Sequence, residues 1–482
     1  MVDVRNAIAA AGGGGYIPFP SPINADADLP GEPLGGITAE VAGGFTYTYR
    51  GTRTRIYART GGGWADVSKA GGYSLAPGDR WEMVQYGDRI IACCGSSAPL
   101  QVMDVGGANF ADLATSSRRP RAKRIGLVNG WPVLGHTFDD QDGEKPSRLW
   151  WPRLIAVPDI ADWDPNLNTF ANYTASLPQA SDGDIMAIIA REVGIIICEA
   201  AIHRMRFVGT ADRIFEFDRI AHNRGAICPG SVIDDGRMVY FWDTDGPYVT
   251  DGNDVAPIGH GKVASTIMSR LNTSALDTIV SAVVPEMAVV LWAMPLDGAS
   301  SPNTLIAYAI NEKRFSPVEV EFSDLCETTL PGISFDDEPW ASRSMDDEPW
   351  SGYAFDGPNA IGGGENVRML TGITREGGVF YLSGAGLPAL LETEEVAPNE
   401  PFVTEITEAR PVIDAGVGIT VAIGTRMSVA DPVVWGPDVP LNRIGYAPVR
   451  ARGIYVRGRI RVPGGFRQAI GLNLVPMRGG RA

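Results

Sequence analysis

Histidine is nearly missing from this chain. His136, His203, His222 and His260 are the only four in 482 residues, and no two have the spacing of a metal site. Each reads as a turn or surface residue, so neither a metal nor a cofactor is expected. Cysteine is also sparse. Cys93, Cys94, Cys198, Cys228 and Cys326 are odd in number and form no CxxC pair, which reads as reduced, buried, small hydrophobes made in a reducing cytoplasm. No apolar run approaches a membrane span, and the alanine- and glycine-rich start lacks the core of a signal peptide. A soluble, unexported chain without a membrane anchor is therefore expected.

Nucleophile and phosphate motifs are lacking too. There is no Gly-x-Ser-x-Gly elbow. Gly259-His-Gly-Lys262 is followed by Val263, and Ala256 stands where a phosphate-binding loop needs its first glycine. The glycine clusters at 12–15 and 362–364 have no strand-to-helix switch beside them and read as linkers. Helical periodicity is scarce, with Ala264–Leu271 the single stretch that reads as helix. Basic residues are outnumbered, leaving a net charge of −16. That balance opposes a protein that clamps DNA phosphates; it reads first as an ordinary soluble acidic protein and is also compatible with a conduit past which DNA slides without sticking.

What is plentiful is turn chemistry. Gly 58 and Pro 35, with 44% hydrophobic residues, describe many short strands joined by tight turns around a sizeable core. Hairpins recur: Phe45–Arg50 with Arg53–Arg59, Trp81–Tyr86 with Arg89–Cys94, and Ile125–Val128 with Trp131–Thr137. The pattern continues with Ile185–Ala190 and Ile195–Cys198, then Met238–Trp242 and Tyr248-Val249, then Ile279–Val284 and Ala288–Trp292. Successive turns lie roughly 40–65 residues apart, the length of a four-stranded propeller blade. The class expected is mainly β: an irregular β-propeller over 45–320, a β-rich, sandwich-like portion over 366–482, and an extended Gly/Pro-rich N-terminal arm over 1–44. Between Ser147 and Leu177 the pattern lapses into an irregular insertion, where Trp150, Trp151 and Trp163 favour packing.

Two features stand apart. Asp-Asp-Glu-Pro-Trp occurs twice, at Asp336–Trp340 and Asp346–Trp350, inside an acidic ribbon over 321–365 that is expected to cross between the two β units. Each proline excludes a helix interior or a central strand, and Trp340 and Trp350 are large enough to staple the ribbon onto a sheet edge or a neighbouring chain. The second feature is Ile454–Val462, where strict alternation puts Ile454, Val456, Ile460 and Val462 on one face and Tyr455, Arg457, Arg459 and Arg461 on the other. The arginine face reads either as a solvated strand surface or as an interchain seam. In the second reading Arg457, Arg459 and Arg461 meet Asp336, Asp337, Asp346 and Asp347 of the ribbon across a subunit boundary.

Taken in order, Pro120–Val133, Leu149–Pro152, Asp162–Pro165, Asp235–Trp242, Leu382–Glu394, Glu408–Pro411 and Tyr455–Phe466, together with the acidic ribbon, resemble the tail hub and nozzle proteins of short-tailed phages. The resemblance implies a structural virion protein rather than an enzyme. It also implies a homo-hexamer ring in the viral tail, assembled in the host bacterial cytoplasm. Such a ring joins the adaptor, or head-tail connector, to the needle or distal tail proteins and forms the DNA exit conduit used in ejection. The alternative is a β-propeller that binds or hydrolyses carbohydrate. Two facing carboxylates would serve the latter, but the Ser-x-Asp-x-Gly-x-x-Trp boxes of sialidase-type propellers are absent and no arginine triad can be assigned. Titrating the protein with random-sequence duplex DNA at two ionic strengths is expected to show weak binding even at low salt. Tight binding with a steep salt slope would instead mark a nucleic-acid reader.

Overall fold

Asn129 and Gly130 both take positive φ, 48° and 77°, the two-residue turn whose twist matches paired strands. They join Arg121–Val128 to Trp131–Asp139 with Val128 opposite Trp131. Turns of this kind fold the described residues into seven four-stranded antiparallel sheets, beside two larger ones. The computed structural model describes residues 3–481 apart from 26, 42–45, 61–62, 116–117, 154–162, 165–171, 175–176, 178–179, 211–212, 262, 331–366 and 416–417. In chain order the first six sheets run from Gly36–Glu40 to Gly63–Asp66, Glu82–Tyr86 to Ala111–Asp112, Arg121–Val128 to Asn172–Thr174, Ile185–Ile189 to Phe215–His222, Ile233–Asp234 to Val255–Pro257, and Val280–Val284 to Arg314–Val318. The seventh contains Asp324–Leu330, Val367–Ile373 and Val379–Gly386, and takes its fourth strand, Pro20–Asn24, from the other end of the sequence.

Each sheet touches the next. Trp81 donates its backbone N–H to Leu34 O at 2.7 Å, joining the first sheet to the second, and Gly95 N–H reaches Ala122 O at 2.8 Å, joining the second to the third. Gly126 lies so close to Ile188 that a Cβ would stand 2.8 Å from its carbonyl oxygen, and Ala226 N–H donates to Cys198 O at 3.0 Å. Between the fifth and sixth sheets the buried Trp242 and Trp292 meet edge to face at 5.7 Å, and the Trp292 indole N–H donates to Ser231 O at 2.8 Å. Phe322 and Leu325 share a core with Val284 and Leu291. The seventh sheet then returns to the first, where the Thr38 hydroxyl donates to Glu327 O at 2.5 Å and Arg50 pairs with Asp324 at 3.1 Å, both side chains buried. The order of contacts is cyclic.

The remaining strands form two sheets face to face. One carries Ala389–Glu392, Tyr455–Val462 and Thr420–Arg426, and the other carries Phe402–Asp414 and Gln468–Arg481. Ile406 and Ala409 from one meet Val421, Ile423 and Val456 from the other, each aliphatic side chain contributing about 1.5–3 kcal/mol on burial. The N-terminus completes both layers: Asp3–Arg5 pairs with Ala389–Glu392, and Ala7–Ala9 pairs with Tyr16–Pro18 beside the last strand. Asn6 sits at the joint in the left-handed conformation, φ 59°, which asparagine tolerates better than most residues. Its amide donates to Pro388 O at 3.0 Å and its side-chain oxygen accepts from Glu319 N–H at 2.8 Å. One residue thereby binds the terminus to the sandwich and to the exit of the sixth sheet.

The mainly β class stands, and Ala264–Arg270 is helical as expected. The boundaries differ. Residues 1–44 are not a free arm, because the described part supplies strands to two sandwich layers and to the seventh sheet, and Gly36–Glu40 opens the first sheet. Most of the acidic ribbon lies outside the described residues, but the strands that flank it belong to the same sheet. Leu330 and Val367 are paired residues of a single hairpin, so the strands to Gly386 belong to the seventh sheet rather than to the C-terminal portion. The lapse after Ser147 starts later, because Gly143–Trp151 is a strand. Its tryptophans do pack: Trp150, Trp151 and Trp163 are buried, and the Trp150 indole donates to Trp163 O at 3.0 Å.

Asp324→Ala is expected to lose about 3–5 kcal/mol of unfolding free energy by leaving Arg50 buried and unpaired at the point of closure. Replacing both residues by leucine should recover most of it. Equilibrium denaturation reads both variants, and an unchanged midpoint for Asp324→Ala would remove this pair from the closure.

Candidate functional site

The basic strand, the first place to look for a site, spans Tyr455–Val462, where Val456, Ile460 and Val462 are buried and Arg457, Arg459 and Arg461 lie on the opposite face as expected, whereas Ile454 precedes the strand and is only half-buried. The arginines already have partners within the chain. Arg457 and Arg459 converge on the two oxygens of Glu392, Arg459 at 2.6 Å, and Glu392 is only 3% exposed. Arg461 pairs with Asp438 at 3.1 Å on the surface. Trp435 lies across the face, with the Arg459 guanidinium 3.8 Å and the Arg457 guanidinium 5.1 Å from its ring. Gly424 makes room for it, since a Cβ there would stand 3.0 Å from the indole. Reversing these charges therefore strands a buried carboxylate in the folded chain before it bears on any neighbour. Asp336, Asp337, Trp340, Asp346, Asp347 and Trp350 lie outside the described residues.

A second place is the middle of the cycle. The segments that precede the first strands of several sheets, with turns beside them, surround two adjoining cavities of about 350 and about 60 Å³. Six of the seven sheets contribute: Glu32–Leu34 and Arg53, Gly78–Arg80, Lys123 and Arg124, Pro229 and Gly230, Asn272–Thr278 with Ser300–Pro302, and Ser323 with Arg375. Close approach is built in, since a Cβ at Gly230 would fall 1.7 Å from Ile279 O. Gly78, Asp79, Arg80 and Asp277 line both cavities. Arg375 is held by Glu32 at 3.1 Å, and Asp79 accepts from the Ser97 hydroxyl at 3.2 Å. Arg80 has no hydrogen bond or ion pair to any described residue, and burial, with Arg124 adding repulsion, holds its guanidinium below the ordinary arginine value.

Beside the cavity wall, Glu82 begins the second sheet and faces Arg124 of the third at 3.6 Å. Glu82 Oε2 and Arg124 Nε are buried without a hydrogen bond among the described residues. Burial outweighs the attraction of Arg124 and pushes the Glu82 carboxyl from 4.5 up to about 7. The histidines follow a different logic from the one expected. His136 and His203 are buried within strands rather than on turns or the surface. His203 meets Asp182 at 2.9 Å, Asp182 also takes Arg219, and burial lowers the His203 imidazole below its usual value. All five cysteines are buried and free. No helix among the described residues is long and apolar enough to cross a membrane.

Arg80, Asp277, Glu82, Arg124, Glu392 and Trp435 were missed by sequence reasoning. The available signal was positional: Pro77-Gly-Asp-Arg-Trp81 and Asn272–Thr278 both stand just ahead of a first strand, where a cyclic array turns its polar segments to one side.

No family model matches the chain, and no curated protein matches it either. Among solved structures it is similar to the extracellular domain of a putative hybrid two-component system from B. thetaiotaomicron, with 9% identity and a TM-score of 0.41 over 90% of this chain and 48% of that one. A structure described as the extracellular domain of a putative one-component system from the same organism gives 10% identity and a TM-score of 0.40, over 86% of this chain and 48% of that one. The chain thus spans about half the length of these structures.

A Glu82 carboxyl raised toward 7 binds a proton in the folded chain that the unfolded chain has already released. Its stabilising contribution is complete below the unfolded value and is lost as pH rises through the folded one. Glu82→Gln cannot titrate, so its stability relative to the parent is expected to improve steadily between about pH 5 and about pH 8. Thermal melts across that range check the sign, and a constant difference would mean that Glu82 is solvated and ordinary.

Proposed function

We propose that this chain is a structural virion protein, the tail hub or nozzle of a short-tailed phage, built as a seven-bladed β-propeller with an attached sandwich. In this reading it assembles as a ring, homo-hexameric by resemblance, between the adaptor and the distal tail parts, and DNA passes through without specific contacts. The propeller reading is supported by seven successive four-stranded meanders in cyclic contact, with the last completed by the N-terminal strand.

The observation that carries the assembly reading is where apolar surface remains. Val412, Met427, Val429, Val434, Ile444, Ile470, Val475 and Met477 are exposed on the sandwich, with Val434 at 67% and Ile444 at 72%. Eight exposed large apolar side chains on one small unit support a surface that another protein covers where they adjoin one another. The strands on either side of the acidic segment, Asp324–Leu330 and Val367–Ile373, pair with each other, so the fold of the closing sheet does not rest on that segment. The net charge of −16 favours a wall that does not hold DNA.

Light scattering of the size-separated protein is expected to give a multiple of the 51.5 kDa chain mass, with ring-shaped particles in electron micrographs. Trp340→Ala with Trp350→Ala should reduce the assembled fraction while leaving the melting of the protomer unchanged, since a packed tryptophan is worth about 3–5 kcal/mol where it is buried. A monomer that captures glycans would favour the carbohydrate reading instead.

A further inference from the structure

The cavities at the middle of the cycle hold a polar inventory that the assembly role does not use. Arg80 opens onto both, and its fork of five donors makes no hydrogen bond or ion pair to any described residue, although Asp324, Asp277 and Glu32 act on its charge from farther away. Arg53 spends one donor on the Leu75 carbonyl at 3.3 Å, and Lys123 and Arg124 stand in the smaller chamber. Asp277 faces the same space without a hydrogen bond or ion pair to any described residue. The hydroxyls of Ser274, Ser300 and Ser301 on the rim are likewise uncommitted.

We infer that this axial cavity is a binding site for a small sugar acid, with Arg80 receiving the carboxylate and Asp277 and the rim serines receiving the hydroxyls. A planar guanidinium with a full set of free donors matches a carboxylate in two parallel hydrogen bonds. A bare anion would leave Asp277 facing it, and like charges repel. A ligand that carries hydroxyl donors beside its carboxylate answers both groups at once. The volume, about 350 Å³, falls within the roughly 300–1,000 Å³ of ordinary small-molecule sites. The guanidinium is half-buried, and nearby Asp324, Asp277 and Glu32 do not lift it back to the ordinary arginine value, so an incoming carboxylate adds a partner that it lacks. The site does not depend on the assembly reading, since its residues come from the cycle of sheets and the exposed apolar surface lies on the sandwich.

The test is calorimetric titration of the full chain with glucuronate as probe, with glucose, acetate and inorganic phosphate as comparisons. Glucuronate is expected to bind and to raise the melting temperature, with glucose and acetate each weaker by about tenfold or more, since each lacks one half of the recognised chemistry. Arg80→Gln should lower glucuronate affinity by at least about tenfold, and Arg80→Lys should fall between, keeping the charge without the fork. Asp277 is exposed, so Asp277→Asn should fold normally, weaken glucuronate by removing the hydroxyl acceptor, and strengthen acetate by removing the repulsion. Melting curves of each variant separate lost binding from lost folding. Undiminished binding in Arg80→Gln, equal binding of glucose, or phosphate competing as well as glucuronate would each overturn the assignment, as would no binding of glucuronate up to about 10 mM.

Discussion

The pairing of Pro20–Asn24 with Val379–Gly386 is the constraint on which the rest of this architecture depends. Seven meanders in a row have two loose ends, and every apolar face between sheets is fully covered only if the last sheet meets the first. The buried Arg50–Asp324 pair and the Thr38–Glu327 hydrogen bond sit at that meeting. They are specific because the alternative for Arg50 is an uncompensated charge in the interior. The N-terminal strand adds a mechanical tie, since the same short segment also enters both sandwich layers through Asp3–Arg5 and Ala7–Ala9. A core running through Ile8, Phe19, Leu291, Leu391 and Ile460 then makes the cycle and the sandwich one packed body.

Much of the fold was legible because turn chemistry is local. Asn129-Gly130 states its own geometry, and the hairpins around Tyr86–Arg89 and Ile189–Gly194 follow from short apolar runs with turn residues between them. The alternation of Val456, Ile460 and Val462 with three arginines is a statement about one strand, and it held. What was not legible is what depends on pairing across the chain. Pro20-Ser-Pro22 reads only as part of an extended arm, yet at the outer edge of a sheet the missing N–H groups do no harm. The hairpin of Asp324–Leu330 with Val367–Ile373 was hidden because its two halves are separated by the acidic ribbon. The arginines of the basic strand looked unneutralised because Glu392 is far away in sequence and gives no sign of being buried.

The candidate sites divide along the same line. Residues of the axial cavity come from segments as far apart as Glu32 and Arg375, so no motif spacing connects them, and only the cyclic packing brings them together. Charge behaves in the same way. A chain of strongly negative balance lines these cavities with Arg53, Arg80, Lys123, Arg124 and Arg375 against Glu32, Asp79 and Asp277. The field a ligand would meet there is therefore not the field that the composition describes. The imidazoles of His136 and His203 show the converse: the sequence reads them as turn or surface residues, and packing buries both within strands.

The closing strand also sets a schedule. Pro20–Asn24 leaves the ribosome first, but its partner strand ends at Gly386, and at about 5–20 residues per second the wait is roughly 20–70 seconds. An ordinary strand left unpaired for that long would be an open template for other nascent chains. Pro20 and Pro22 lack the backbone donors that such a template needs, so the segment can wait as a poor mate for strangers and still serve as the outermost strand of its own sheet. The proline content that disguised this strand in the sequence is thus what lets translation run from one end of the closure to the other without the first end being captured on the way.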